Sequence, residues 1–323
     1  MFIVVLVLSL PFLLAAAPPD RLADLIEQMR QFTLAGDHAA VGRLTPEVIE
    51  ELTKPHPRAT LAWNQVGIYF QVQGDFAEAE RAYQRGVSLA EKNGNSPGDL
   101  ALVLLNLATL YLETGQGPAH AEVLSRRALK YAIALHGPAA PELANFIYIL
   151  GAARVEQGDR QDGRRFFEQA LDLAGDSTEG KLRQGFVRAN LAFLSGLDKQ
   201  WMPAKENFLQ SIALMETILG SSHPDLIRTH VNLARVYVQM KQWSLAAASV
   251  ARAREITEAR LGETHPLMAD ILITSASILR KTGHGREARE LSRRAKVIAA
   301  AQRKNPASSA WIHAADLVRS GRR

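Results

Sequence analysis

Side chains that could carry out chemistry are few and scattered in this chain. Its 323 residues include no cysteine, which excludes thiolate nucleophiles, disulfides and thiolate-based metal sites. The nine histidines form no H-E-x-x-H motif, and no G-x-S-x-G motif is present. Neither a zinc-protease helix nor a nucleophile elbow is therefore indicated. We expect no catalytic, cofactor-binding or metal-binding residue, and we expect the protein not to be an enzyme.

The patterns closest to a known site have a simpler explanation in their spacing. Gly115/Gly117 and Gly283/Gly285 lack the third glycine of a dinucleotide-binding loop, and no strand precedes either pair. His223 and His265 lie 42 residues apart, and a proline follows each of them. Residues that recur at one period belong to repeated turns, so we interpret both histidines as junction residues that could cap a helix.

Small residues define the elements that position everything else. They recur every 41 to 43 residues, as expected for the places where two helices cross closely. Two more rows of small residues, about twelve and nineteen positions further on in each unit, keep nearly the same period. The first row consists of Gly67, Ala108, Gly151, Ala192, Ala234 and Ala276.

The best-formed unit is Trp63–Gly86, WNQVGIYFQVQGDFAEAERAYQRG. Its large residues alternate with Gly67, Ala79 and Gly86, and Gly74 separates two helical patterns. Over about residues 59 to 302, this pattern resembles the tetratricopeptide repeat (TPR). The 42-residue period and the repeated Leu-Gly-x-x-His-Pro junctions resemble the kinesin-light-chain type. The resemblance implies an all-α fold, a right-handed superhelical solenoid of antiparallel helix pairs.

The chain divides into four predicted segments. Residues 1–17 contain the apolar run Phe2–Leu14, which is short for a bilayer core of about 30 Å but typical of a signal peptide. Residues 18–58 are predicted to be a degenerate capping repeat whose second helix is cut short by Pro46. Residues 59–303 hold six units of about 42 residues, and residues 304–323 form a basic tail with a short capping helix.

The apolar run leaves the compartment open between two main alternatives. We expect export to the periplasm or the exterior after cleavage of residues 1–17. An uncleaved, membrane-tethered end is the alternative, and a buried first helix of a cytosolic protein is the least favoured. No lysine or arginine precedes the run, and Pro18 follows Ala17. Both features are unusual for a cleaved signal peptide.

Charge is concentrated at the C-terminal end. From Arg286 to Arg323 there are ten Lys/Arg and three Asp/Glu, a net charge of +7, whereas the whole chain carries +5. The remainder is therefore 5 − 7 = −2. A uniform nucleic-acid-binding surface is not indicated, and we expect no nucleic acid as partner. Contact of the basic end with an anionic lipid or nucleic-acid surface stays an alternative.

The resemblance places a ligand groove along the first helix of each unit. The residues that it assigns to this groove run from mixed polar, through aromatic, to cationic. We expect a protein or peptide partner with an apolar anchor and an acidic end, and the alternative role is a peptide-sensing regulatory module. The predicted contact residues are Asn64, Gln71, Asn145, Tyr148, Phe186, Phe193, Arg228, Arg235, Arg280 and Lys281.

Overall fold

The computed structural model describes residues 20–34, 37–93, 96–115 and 117–303, and these residues form fourteen α-helices without a strand. The predicted all-α class is confirmed. The expected signal peptide or anchor at 1–17 and the tail with its capping helix at 304–323 lie outside the described residues. The helices are α1 (Arg21–Leu34), α2 (His38–Glu51), α3 (Ala59–Gln73), α4 (Phe76–Asn93), α5 (Pro97–Glu113), α6 (Pro118–His136), α7 (Leu143–Glu156), α8 (Arg160–Leu173), α9 (Thr178–Leu197), α10 (Trp201–Leu219), α11 (Leu226–Gln239), α12 (Trp243–Arg260), α13 (Pro266–Lys281) and α14 (Gly285–Arg303).

The chain separates into two compact units at Ala153–Arg154. In the part of the first unit that is described, α1 packs against α2 and α3, and α3 pairs with α4. Helix α5 pairs with α6 and also contacts both α3 and α4. Each pair therefore buries apolar surface against the next, as a repeat array requires.

The second compact unit, from Arg154 onward, repeats the same arrangement. Helices α9 and α10, α11 and α12, and α13 and α14 form successive pairs. The second helix of one pair packs on the first helix of the next, as α10 does on α11 and α12 on α13. Helix α11 also contacts α13 directly. First helices of neighbouring pairs thus contact each other within each compact unit.

Gly67 shows why small residues mark the helix crossings. A Cβ atom at Gly67 would lie 2.4 Å from Cε1 of Tyr83, well inside normal carbon–carbon contact. Tyr83 is fully buried, and its hydroxyl donates a hydrogen bond to Oε1 of Gln71 at 2.7 Å. The ring therefore has little freedom to move, and only glycine lets α3 and α4 approach this closely.

The turns between paired helices use a left-handed residue. Gly74 ends α3 with φ 78° and its N–H bonded to the carbonyl of Gln71, a common helix terminus. Before α10 and α12, the left-handed residue is instead Lys199 or Lys241, each with φ 59°. A side chain in this conformation costs about 1 kcal/mol. The fourth and fifth units therefore form the turn without the glycine that favours it.

From the sequence we predicted that Pro46 cuts short the second helix of the capping segment, and this prediction is wrong. Pro46 lies inside α2, which continues to Glu51. The helix begins at an N-cap, Asp37, whose side chain accepts a hydrogen bond from the Ala40 N–H. Packing of Val41 and Val48 in a cluster with Leu25 and Met29 of α1 offsets the backbone hydrogen bond that proline removes. Within the described residues, no helix is both long and apolar enough to cross a bilayer.

Candidate partner-binding surface

Asn64 and Gln71, the two predicted contact residues in the first repeat, connect neighbouring repeats. The Asn106 amide donates a hydrogen bond to Oδ1 of Asn64 at 2.8 Å, and both side chains are buried. Gln71 donates to Oε2 of Glu113 at 2.6 Å while accepting from Tyr83. In each inter-repeat pair the partner lies 42 residues further along the chain.

Burial limits what the N-terminal candidates can offer a partner. Asn64 and Gln71 are 2% and 5% exposed, and Asn145 and Tyr148 on α7 are both 4% exposed. The sequence had led us to expect exposed side chains at these four positions. As partner contacts they stay predictions, but the structure leaves them little accessible surface.

The two predicted aromatic contact residues on α9, Phe186 and Phe193, are also largely enclosed. Phe186 is 2% exposed, and Phe193, seven residues later on the same face, is half-buried. Buried Phe186 contributes to the core of its own unit, which explains an aromatic residue at that place without a ligand. Phe193 retains part of its ring surface for contact.

Arg228 and Arg235 on α11 lie beside a shallow cavity of about 10 Å³, room for about one water molecule, that Val231, Leu267 and Asp270 also line. Ligand pockets for small molecules are usually larger, about 300–1,000 Å³. Arg235 donates to Oδ1 of Asn232 at 3.2 Å and to Oδ1 of Asp270 at 3.3 Å. This ion pair joins α11 to α13 and partly neutralises the cationic end that the sequence predicted.

Helix α13, the first helix of the last described pair, carries the most exposed of the predicted contact residues. Arg280 and Lys281 are exposed at its C-terminal end. Ile273, seven residues before Arg280 and thus on the same helix face, is 45% exposed. We use the name α11–α13 surface for Arg235, Asp270, Ile273, Arg280 and Lys281.

Sequence reasoning missed Ile273 and Asp270. Both occupy register positions equivalent to predicted contacts in other repeats, Ile273 to Tyr148 and Asp270 to Arg228. An isoleucine in a helix is readily assigned to the core, and an aspartate did not fit a cationic groove. Register alone would have identified both residues.

His265, near this surface, adds no positive charge at neutral pH. Burial, reinforced by the Arg228 guanidinium, lowers the pKa of His265 to about 4. Its Nδ1 accepts a hydrogen bond from the Leu267 N–H at 3.3 Å, which confirms it as a helix N-cap at the junction. His223 accepts from the Asp225 N–H in the same way, also at 3.3 Å. Burial raises the pKa of Asp225, opposed by His223 and Arg228.

A tetratricopeptide repeat family model matches residues 187–259, which run from α9 through α12. These four helices are two of the packed pairs described above, and α13 and α14 form the next pair along the chain. Residues 187–259 are therefore tetratricopeptide repeats. Among the described residues, no group of three histidine, aspartate or glutamate side chains is placed to hold a metal ion.

One curated relative shares part of this TPR sequence. The human clustered mitochondria protein homolog is 29% identical over 126 residues, which is 37% of this chain. The matched region is 9% of the length of that relative. Such a partial match indicates shared repeats and leaves the activity of the larger protein aside.

Solved structures resemble the TPR array along most of its length. A Rap protein complexed with competence and sporulation factor gives a TM-score of 0.63 at 14% identity, covering 90% of this chain and 89% of that chain. NprR in complex with its cognate peptide NprX gives 0.62 at 12% identity, with coverages of 84% and 75%. Kinesin-light-chain TPR-like repeats from Podosopora anserina give 0.50 at 21% identity, with coverages of 65% and 99%. These likenesses show the fold, and they include the kinesin-light-chain type of repeat that the sequence resembles.

Proposed function

We propose that this TPR chain is a non-enzymatic scaffold that binds an extended segment of another protein, or a peptide, on the α11–α13 surface. The observation that carries the proposal is the exposure of Ile273 on the same helix as two exposed cations, Arg280 and Lys281, two turns further on. Among the described first helices, Val72 on α3 and Ile273 on α13 are the exposed large apolar side chains, and of these two Ile273 shares its helix with exposed cations.

The chemistry of the surface defines the partner. An apolar side chain of the partner would cover Ile273 and remove it from water. A carboxylate of the partner would lie over Arg280, whose guanidinium can donate two parallel hydrogen bonds. The internal pair Arg235–Asp270, at 3.3 Å, leaves Arg280 and Lys281 as the cations for recognition. The partner is therefore an acidic segment with an apolar anchor.

The comparisons support the class of ligand. NprR was solved with its cognate peptide, so a helix array of this fold can hold a peptide. At 12% identity the likeness concerns the fold, and the binding residues proposed here come from this chain alone. The same likeness favours a second candidate, a peptide-sensing module whose helix pairs shift when the peptide binds.

Site-specific photocrosslinking tests the scaffold proposal. A photoreactive amino acid at Ile273 should crosslink a discrete partner in cells, and the same group at Val123, which is 65% exposed on α6, should not. Equal crosslinking from both positions would show that contact does not depend on the α11–α13 surface. Small-angle scattering then separates the two candidates, because a sensor changes its profile with peptide whereas a rigid scaffold keeps it.

A triple variant measures the contribution of the surface. I273A/R280E/K281E should weaken binding of the crosslinked partner by about 30-fold or more, through lost apolar area and reversed charge. The matched control is V123A/R126E/K130E on α6, which truncates one exposed apolar side chain and reverses two exposed cations elsewhere. A triple variant that binds like the control would contradict the proposal.

The compartment in which this happens is a separate proposal that rests on the apolar run Phe2–Leu14. We propose export, with membrane tethering by the uncleaved run as the alternative. The intact mass of the protein isolated from its own cells decides between them. A mass lacking residues 1–17 supports export, and a full-length mass in the membrane fraction supports tethering.

A further inference from the structure

Helix α14 presents a row of cations on its outer side. Arg286, Arg289, Arg293 and Lys296 are all exposed. At 100° per residue they fall within an arc of about 80° and extend along about 15 Å of helix. The opposite side of α14 packs on α13 through Ala288, Ala295 and Ile298, whose exposed fractions are 0%, 1% and 8%. We call the four cations the α14 stripe.

The stripe is not a product of the repeat. The residues at the same register of α12, 42 positions earlier, are mostly small and uncharged: Ser244, Ala247, Ala251 and Arg254. The corresponding residues of α10, another 42 positions earlier, are mostly apolar: Met202, Lys205, Leu209 and Ile212. Stacking of the helix pairs therefore does not require cations at these positions, and their accumulation on α14 needs another explanation.

The positive charge of the stripe is scarcely neutralised within the described residues. Glu290 lies 3.9 Å from Arg293, and both of these side chains are more than 70% exposed, so water screens the pair strongly. Arg289 donates to the backbone carbonyl of Gly285. By contrast, Arg294, off the stripe, is bonded to Glu263. The charge of the stripe is thus available to an external anionic surface.

We propose that the α14 stripe lies on the headgroups of an anionic lipid membrane. Lysine and arginine near such a surface each strengthen binding about fivefold, so four of them give several hundredfold. Val297, next to Lys296, is 64% exposed and can enter the boundary between headgroups and acyl chains. Single-stranded nucleic acid fits less well, because α14 has no aromatic side chain on which a base could stack, and a DNA duplex is one outcome of the test below.

Vesicle sedimentation of the full-length protein tests the proposal. The probes are phosphatidylcholine vesicles with and without 30% phosphatidylglycerol. Binding should depend on phosphatidylglycerol and fall steeply as NaCl rises from 0.05 to 0.5 M, because salt shortens the screening length. Binding by the apolar run Phe2–Leu14 would instead be similar on both vesicles and insensitive to salt, and that result would overturn the proposal.

Two quadruple variants locate the effect. R286Q/R289Q/R293Q/K296Q should lose the phosphatidylglycerol-dependent binding at least a hundredfold, and helix content by circular dichroism should be unchanged because glutamine is a good helix former. The control R81Q/R126Q/R165Q/R254Q removes the same charge from exposed arginines on four other helices and should keep most of the binding. Equal losses in both variants would overturn the proposal. So would displacement of the protein from vesicles by a 20-base-pair DNA duplex at equimolar phosphate.

Discussion

Replacing Gly67 by alanine should destabilise the first unit although alanine is the better helix former. The added Cβ would lie 2.4 and 2.5 Å from two ring carbons of Tyr83. Burial and the hydrogen bond to Gln71 hold that ring in place, so the cost of overpacking should reach about 3 kcal/mol. The gain in helix propensity is about 1 kcal/mol. The expected net loss is therefore about 2 kcal/mol.

Gly196 provides the matched control for this substitution. It lies in the last turn of α9, and a Cβ atom there would meet nothing within 4 Å. Gly196→Ala should therefore stabilise its helix by a few tenths to about 1 kcal/mol. Because the two glycines lie in different compact units, amide hydrogen exchange of α3 and α9 should accompany urea denaturation. If Gly67→Ala left the protection of α3 unchanged or increased it, the crossing argument would be refuted.

Two further predictions concern the turns and a buried histidine. Lys199→Gly and Lys241→Gly should each raise the free energy of unfolding by about 1 kcal/mol, since both lysines have φ 59°, whereas alanine at either site should change it little. Chemical denaturation checks this, and a gain from alanine equal to that from glycine would exclude the backbone explanation. Burial, with Arg252 nearby, lowers the pKa of His230 to about 4. Uncharged His230 therefore contributes to the free energy of unfolding above pH 6.5. This contribution is lost as the pH falls from 6.5 to 4, by up to about 3 kcal/mol. His230→Leu, which places at α11 the residue found at Leu104 and Leu272, should remove that part of the acid destabilisation, and an unchanged difference in stability between pH 7 and pH 4 would contradict it.

The sequence was sufficient for the helix pairs because sterics at a crossing act on single residues. A glycine is required at position 67, where Tyr83 meets the facing backbone, and the other repeats carry glycine or alanine at the same position. The path of α2 through Pro46 could not be predicted in the same way. It depends on whether packing of Val41 and Val48 against α1 outweighs one lost hydrogen bond, a balance between distant residues.

The candidate site was predicted less completely because exposure depends on neighbours. Asn64 and Arg235 look equally suited to a partner in the sequence, yet Asn64 is enclosed and bonded to Asn106. Helix α13 differs because no described first helix follows it to cover its face. Ile273 is therefore exposed, although comparable apolar residues of α5, such as Leu105, are buried.

The two proposed surfaces share the last helix pair, and this proximity follows from how a repeat array ends. Internal repeats have a neighbour on each side, so residues there are constrained by stacking and recur with the period. At α13 and α14, which pack on each other, that constraint ends on one side within the described chain. Within the described chain, departures such as exposed Ile273 and the α14 stripe are therefore not opposed by the stacking of a further described pair. Function that needs exposed apolar or cationic side chains is therefore most easily placed at this end of the array.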